Sequence, residues 1–522
     1  MVSKLVYVLI FVCVIAKIKP ARILAVFPVP SISHQVVFRP ITQELAKRGH
    51  EVTVITPDPA FSDGNTPPNL KEINVHDISY KTWRNLYMNS YKSDGSSTNF
   101  NIVRVKWTLL TKIVAIQLKS PEIQEIINDK DNKFDLILLE AMIRPALVYS
   151  YFFEAPVILV SSLGAILSNP KVMSMHTHAI LYPTPLQKRI YNLTTTEKLI
   201  TLYKYYSIEF ADYLNEIDET DLLQKMFGSK VPPLSELYNN IDMLFVNTYP
   251  IWIDNQPVPP TVLCIGGIHQ TPEKKLPRDL QTYLDSSKHG VIYLSFGTNA
   301  LAGAIPEDKV RIIVKVLSGL PYDVLWKWDK NKLPVQSENI KLSKWYPQSD
   351  LLRHPKVKLF ITQAGLQSTD EAIAAGVPLV ALPLFGDQWY NAEKYVKHGI
   401  GKKLDIETLS AEEFRVAVEN VAKDDSYRKN LVKLRQLMHD QPESPLQRAM
   451  WWVEYVMRHG GAKHLRPPSA NISYVQYFEM KVLCILLLSV IIILAISIIV
   501  IVFIFNAFNR FIKDKMTVKC EL

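Results

Sequence analysis

Residues 343–391 read SKWYPQSDLLRHPKVKLFITQAGLQSTDEAIAAGVPLVALPLFGDQWYN. Lys358–Thr362 is a mostly apolar run of strand length. Leu366–Ala375 has helical spacing and is ended by Gly376 and Pro378. Leu379–Leu382 is the next buried strand. The loop Gln363-Ala364-Gly365-Leu366-Gln367-Ser368 therefore joins the end of a strand to the start of a helix. The free N–H groups and positive dipole end of a helix meet an anion at such a point, which is where phosphates bind in open α/β sheets.

The same logic extends outward from this stretch. Upstream, Val291–Ser295 is a strand followed by Phe296-Gly297-Thr298, a helix spans Pro306–Leu317, and Tyr322–Trp328 is another strand. In the first half, Arg22–Val29 is an apolar strand, His34–Arg48 has helical spacing stopped by Gly49, and Glu51–Thr56 is a second strand. Phe134–Leu139, Pro156–Val160 and Ile241–Val246 are further strands, the last of them closing this half. Strands alternating with helices predict a parallel, doubly wound sheet in each half. A Pro-rich passage between Pro250 and Pro277 predicts the linker.

The stretch 343–391 resembles the signature of the UDP-glycosyltransferases. Trp-x-Pro-Gln, Leu-Leu-x-His-Pro, a Gly-bearing loop with Ser, then Glu, Gly-Val-Pro and Asp-Gln all follow in the family's register. The resemblance implies the GT-B fold, two facing Rossmann-like domains with the site in the cleft between them. It places the UDP-sugar donor, a co-substrate rather than a cofactor, in the second half. Trp345 would stack on uracil, Gln348 contact the base or ribose, and Glu371 accept ribose hydroxyls. Gln363, Gly365, Gln367 and Ser368 would face the diphosphate, with Ser295, Gly297 and Thr298 as a second strand-end loop. Asp387 and Gln388 would bind hydroxyls of the transferred sugar. Two positions depart from the pattern. Gln363 stands where the family often has His, and Ala364 where it has Gly. Gln-x-Gly-Leu-Gln-Ser resembles the family's insect branch. If Ala364 needs φ > 0, it costs about 1 kcal/mol or more.

His34 follows the first strand and opens a helix, a strand-end position facing a cleft. Read alone it is a helix cap. The family's catalytic His matches it, and a neutral imidazole there takes the proton from an acceptor hydroxyl. Glu140, at the end of Leu136–Leu139, would hold the other ring nitrogen. His50, His354 and His398 read as structural or surface residues. No His/Cys/Asp cluster has metal-ligand spacing. The predicted reaction is an inverting single displacement onto a small lipophilic acceptor, whose pocket comes from 60–120 and 165–235.

The predicted donor is UDP-glucose. Glucuronate carries a carboxylate, which calls for a cation, and residues 384–391 contain none. Arg39 and Arg144 keep UDP-glucuronate open as the alternative. A catalytically weak member that binds or carries lipophilic ligands is a further alternative. An adhesion or receptor ectodomain would be disulfide-rich. Of the four cysteines, Cys13 falls in the N-terminal apolar run, Cys484 in the C-terminal one and Cys520 in the tail, which leaves Cys264 alone in the body.

The 522-residue chain has 59 Lys+Arg against 50 Asp+Glu. The excess is spread out, with no arginine-rich block, and does not indicate nucleic acid. Lys4 followed by apolar Leu5–Ala16 predicts a signal peptide over 1–21. Val482–Phe505 is an uncharged run of 24 residues, where a membrane helix needs about 20. Arg510, Lys513, Lys515 and Lys519 follow it, so the tail 506–522 is expected on the cytoplasmic side. The expected organisation is an acceptor-binding domain at 22–250, a linker at 251–277 and a donor-binding domain with a closing helix at 278–465. A juxtamembrane linker at 466–481 then leads to the span at 482–505. This describes a single-pass type I protein of the endoplasmic reticulum membrane with a lumenal body. It admits a homo-oligomer and two glycosylation sequons, Asn192-Leu-Thr and Asn471-Ile-Ser.

Overall fold

The computed structural model describes residues 20–62, 64–92, 99–298, 305–330 and 332–520. Apart from Pro20 and Ala21, the expected signal peptide lies outside them. The chain divides into two units at Pro467 and Pro468.

The first unit contains two parallel sheets. In the first, β1 (Arg22–Val26), β4 (Leu136–Glu140), β5 (Val157–Ser161) and β6 (Ile241–Val246) are almost wholly buried. Parallel strands are covered on both faces, which is why they read as unbroken apolar runs. β2 (Glu51–Thr56), β3 (Leu70–Asn74) and β7 (Val262–Cys264) complete the order β3-β2-β1-β4-β5-β6-β7. β6 is therefore not the last strand of this half. β7 lies inside the Pro-rich passage and pairs Val262 with Leu244. The helices α1 (Ile32–Lys47), α2 (Asn99–Leu118) and α3 (Thr195–Phe227) belong to this half. The long α3 begins with a capping box between Thr194 and Glu197. The buried Arg144 fastens it to the body, with Nη1 2.9 Å from Asp212 and Nε 2.8 Å from Glu219.

The second sheet runs β10-β9-β8-β11-β12-β13. Its centre is β8 (Val291–Ser295), β11 (Val357–Thr362) and β12 (Leu379–Ala381), with β9 (Asp323–Lys327) beyond β8. The edges β10 (Ile340–Ser343) and β13 (Gly401–Lys403) are short and partly exposed. Three helices here carry expected site residues: α4 (Gln348–Leu352), α5 (Leu366–Ala375) and α6 (Gln388–Lys397).

Helix α7 (Pro445–His459) returns to the first sheet. Pro445 at its first turn, a capping box between Ser444 and Gln447, and Gly460 at φ 63 fix its two ends. Ala449, Met450, Val453 and Val456 enter the core that covers β1 and α1. Beyond α7, Asp242 accepts hydrogen bonds from Ala462 N at 2.7 Å and Val157 N at 3.1 Å. Arg466 Nη1 donates to Asn239 O at 3.0 Å.

In the second unit, α8 (Met480–Cys520) is 41 residues long. Met480–Lys513 is long and apolar enough to cross a membrane, with a mean hydropathy of 3.6 over its most apolar window. The helix extends beyond the expected 482–505 at both ends. It continues through the basic tail, where no proline or glycine stops it.

Candidate active site

The loop between β1 and α1 is Phe27-Pro28-Val29-Pro30-Ser31. Two prolines limit its freedom, and Gln35 Nε2 donates to Phe27 O at 3.0 Å and Val29 O at 3.3 Å. This places His34 in the first turn of α1, beside the end of β4. His34 Nδ1 lies 2.6 Å from Glu140 Oε1, with side-chain exposures of 12% and 1%. Glu140 Oε2 accepts from Val29 N at 3.2 Å. A carboxylate held this way keeps the ring proton on Nδ1 and leaves the Nε2 lone pair as the basic site.

Asp387, at the start of α6 in the second half, is near enough to His34 to feel its charge. Burial raises the Asp387 carboxyl to about 6, against the opposing pull of the Asn391 amide and of His34. Asn391 Nδ2 donates to Asp387 Oδ2 at 2.8 Å and to Ala364 O at 2.9 Å, and its Oδ1 accepts from Trp252 Nε1 at 3.0 Å. Asn391 thus ties the loop after β11 to the start of α6. Sequence reasoning named it only as a flanking residue.

The loops after β8 and β11 meet. Ser295 Oγ accepts from Gly297 N at 3.2 Å. Gly297 has φ 74, and a Cβ there would fall 2.2 Å from Gln363 Nε2. The positive φ favours glycine there, and a side chain would also have to displace the end of Gln363. Gln363 Oε1 is buried with no partner. Ala364 has φ 66 and is fully buried, so the strained backbone that the sequence made conditional is present. Gly365 is the N-cap of α5. Thr298 follows Gly297 in this loop, and residues 299–304 lie outside the described ones.

Gln348, Ser368 and Glu371 form one cluster. Gln348 Nε2 donates to Ser368 Oγ at 2.8 Å and Glu371 Oε2 at 2.7 Å, while its Oε1 accepts from Tyr293 OH at 3.1 Å. Burial raises the Glu371 carboxyl, with Gln348 opposing. Trp345 is 62% exposed, a large ring offered to solvent. Lys327, the last residue of β9, has Nζ 4.8 Å from the Trp345 ring centroid and 2.9 Å from Gly297 O. Burial lowers its ammonium to about 8. Sequence reasoning missed Lys327. A cation ending an otherwise apolar strand was the available signal.

Two expected donor ligands are already engaged. Gln367 Nε2 donates to Ser162 O at 3.0 Å, in the first half. Gln388 Oε1 accepts from Leu384 N at 2.8 Å and Phe385 N at 2.9 Å, which shapes the loop before Asp387. Arg39 and Arg144 are also committed elsewhere. Arg39 Nη2 donates to Asp58 O at 2.8 Å, and Arg144 is the buried clamp on α3. A different cation approaches this loop from the first half: Lys106 Nζ lies 5.9 Å from the Phe385 ring centroid. Asn192 is exposed and Asn471 partly exposed. Among the described residues, no group of three or more His, Cys, Asp or Glu is placed to hold a metal ion. A cavity of about 360 Å³ opens at the other ends of β5 and β6, lined by Tyr151, Glu236 and Lys463 among others, and shares no residue with this site.

Comparison with known proteins agrees with the geometry. The family profile described as "UDP-glucoronosyl and UDP-glucosyl transferase" matches residues 22–517. The chain is 33% identical over 507 residues to the "Ecdysteroid UDP-glucosyltransferase" of Spodoptera littoralis nuclear polyhedrosis virus, covering 93% of this chain and 98% of that one. It is 29% identical to the "UDP-glucuronosyltransferase 2B17" of Homo sapiens, covering 88% of each. Among solved structures, Arabidopsis thaliana UGT89C1, complexed with UDP-L-rhamnose, is similar with a TM-score of 0.57 at 15% identity, over 84% of this chain and 99% of that one.

Proposed function

The chain belongs to the UDP-glucuronosyl and UDP-glucosyl transferase family, and from that premise we propose that it transfers glucose from UDP-glucose to a hydroxyl of a small lipophilic acceptor, with inversion. The observation that carries this reading is the His34–Glu140 pair, 2.6 Å apart and within electrostatic range of Asp387. His34 Nε2 takes the acceptor proton as its oxygen attacks the anomeric carbon, and UDP leaves from the opposite face. Glu140 stabilises the imidazolium that forms.

The donor side follows from the same geometry. Trp345 offers a face for uracil, and the carboxylate of Glu371 accepts ribose hydroxyls. Ser368, Ser295 and the backbone after Gly365 receive the diphosphate at the start of α5, where N–H groups and the helix dipole favour an anion. Lys327 adds a positive charge beside Trp345. Asp387 holds sugar hydroxyls, with Gln388 shaping the loop that presents it.

A neutral sugar is supported by the engagement of Arg39 and Arg144 away from this site and by the anionic Asp387. The viral relatives named for ecdysteroids support a lipophilic, hydroxyl-bearing acceptor. The apolar α8 and its basic tail support a lumenal body in the endoplasmic reticulum membrane, with residues 22–250 as acceptor domain and 278–465 as donor domain. UDP-glucuronate has two observations in its favour, the approach of Lys106 to Phe385 and the human relative named a UDP-glucuronosyltransferase. The test is kcat/KM for both donors with one shared phenolic acceptor. UDP-glucose is expected to be preferred. A tenfold preference for UDP-glucuronate that disappears in Lys106→Met would establish the other donor.

A further inference from the structure

Three stretches of chain meet at Asp254. It follows the turn Pro250–Ile253, between β6 and β7, and stands at φ 55, with Asn255 after it at φ 53. Two successive residues other than glycine in the left-handed region are uncommon, and such backbone persists only where its surroundings hold it. Asp254 is held from two sides. From helix α6 of the second half, Lys394 Nζ lies 2.5 Å from Asp254 Oδ2, and Lys397 Nζ reaches Oδ1. From a loop of the first half, Tyr191 OH donates to Asp254 Oδ2 at 2.9 Å. Beside it, Ile190 N donates to Glu393 Oε2 of α6 at 3.4 Å. The Lys394 side chain is wholly buried, its ammonium 4.7 Å from the Tyr390 ring centroid and 5.1 Å from that of Tyr191. Water does not solvate it there, so Asp254 serves as its counter-ion, and removing that carboxylate leaves a buried charge unpaired.

Two residues before Asp254, the same segment makes a second contact with α6. The buried Trp252 stacks on His398 with ring centroids 5.7 Å apart. Its carbonyl accepts from Tyr390 OH at 3.3 Å, and its Nε1 donates to Asn391 Oδ1 at 3.0 Å. Asn391 Nδ2 in turn donates to Asp387 Oδ2 at 2.8 Å. An amide carries its acceptor and its donors on opposite arms. With Oδ1 taken by the indole, Nδ2 is aimed at Asp387. Asn391 and Lys394 are three residues apart, one turn along one face of α6. Trp252 and Asp254 therefore grip that face at two points, and the first point continues into the Asp387 carboxylate.

We infer that Asp254 is a positioning residue for the donor sugar: locked to Lys394, it keeps Trp252 on Asn391, and Asn391 sets the Asp387 carboxylate. Tyr191 gives the first half a share in that setting. The inference rests on the proposed role of Asp387 toward sugar hydroxyls. Trp345, Gln348 and Glu371, proposed to receive the nucleoside, take no part in this chain of contacts.

The test uses the full chain in membranes. It compares the KM for UDP-glucose with the inhibition constant of UDP, which lacks the sugar. Asp387→Asn sets the scale: its KM should rise at least about tenfold, the worth of a hydrogen bond to a charged group, while the UDP constant stays within about twofold of wild type. Asp254→Asn should show the same split, at about tenfold in KM. The double variant should be no worse than Asp387→Asn alone, because both changes act through one carboxylate. Additive losses overturn the inference, and so does a wild-type KM in Asp254→Asn. Trp252→Phe keeps an aromatic ring and removes the indole N–H, and it should show the split as well. If Asp254→Asn does not fold, a wild-type KM in Trp252→Phe, or a UDP constant that rises with KM, overturns the inference. Asp387→Asn without the split overturns the proposed role of Asp387 and this inference with it. The split in Asp387→Asn but not in Asp254→Asn overturns the inference alone.

Discussion

In the first sheet, His34 follows β1 and Glu140 ends its neighbour β4. In the second, Ser295–Thr298 end and follow β8, and Gln363–Gly365 follow its neighbour β11. The strand orders correspond, β3-β2-β1-β4 against β10-β9-β8-β11, so both sets stand at the same crevice, where an open sheet reverses its order. What fills the crevices differs. The first loop is stiffened by Pro28 and Pro30 and directs two ionisable side chains at each other. The second is opened by Gly297 and Gly365 and offers backbone. On the proposed function, one topology would serve acid–base chemistry in one half and anion binding in the other according to loop composition.

The largest expected effect separates the two crevices. His34→Ala should lower kcat by roughly 10² to 10⁴ on an aliphatic alcohol acceptor, with the donor KM nearly unchanged. Steady-state kinetics checks this, and a matching rise in donor KM would merge the two roles. Asp387 joins the crevices. Its carboxyl sits at about 6, so kcat/KM for the donor should rise as pH climbs through 6. Asp387→Asn should flatten that rise and cost roughly ten- to a hundredfold, the worth of a hydrogen bond to a charged group. The sign for stability is opposite. A folded-state value above the ordinary 3.8 means that the ligand-free protein loses stability as pH rises through 6. Thermal melts at pH 5 and 7.5 measure that change against Asp387→Asn.

Trp345→Ala acts on the second crevice alone. Loss of base stacking is worth about 1–3 kcal/mol, so UDP binding by calorimetry should weaken about tenfold or somewhat more, with little change in kcat. The smallest effect is Ala364→Gly. Relief of φ 66 should stabilise the fold by about 1 kcal/mol, visible as a raised Tm, and sharpen donor binding without touching the first crevice.

The same asymmetry governs what the sequence makes legible. Central strands such as β4 and β6 are buried on both sides and read as apolar runs. The edges β3, β10 and β13 expose every other residue or more and were not read as strands, and the prolines around β7 concealed it. The loops that bind through backbone follow a local pattern, so 343–391 could be recognised. The His34–Glu140 contact spans 106 residues and came only through family resemblance. Lys327 is marked only as a cation ending a strand; Asn391 and Lys106 meet neighbours distant in sequence, Trp252 and Phe385, and no local spacing marks them. The same holds for Gln367, whose reach to Ser162 belongs to the packing of the two halves.

The return of α7 has a mechanical consequence. The chain leaves the first sheet after β7 at Cys264, builds the second sheet, and comes back before it reaches α8. Asp242 and Asn239 grip the returning segment at Ala462 and Arg466. A pull transmitted along the chain from α8 therefore meets the first sheet before it reaches the second.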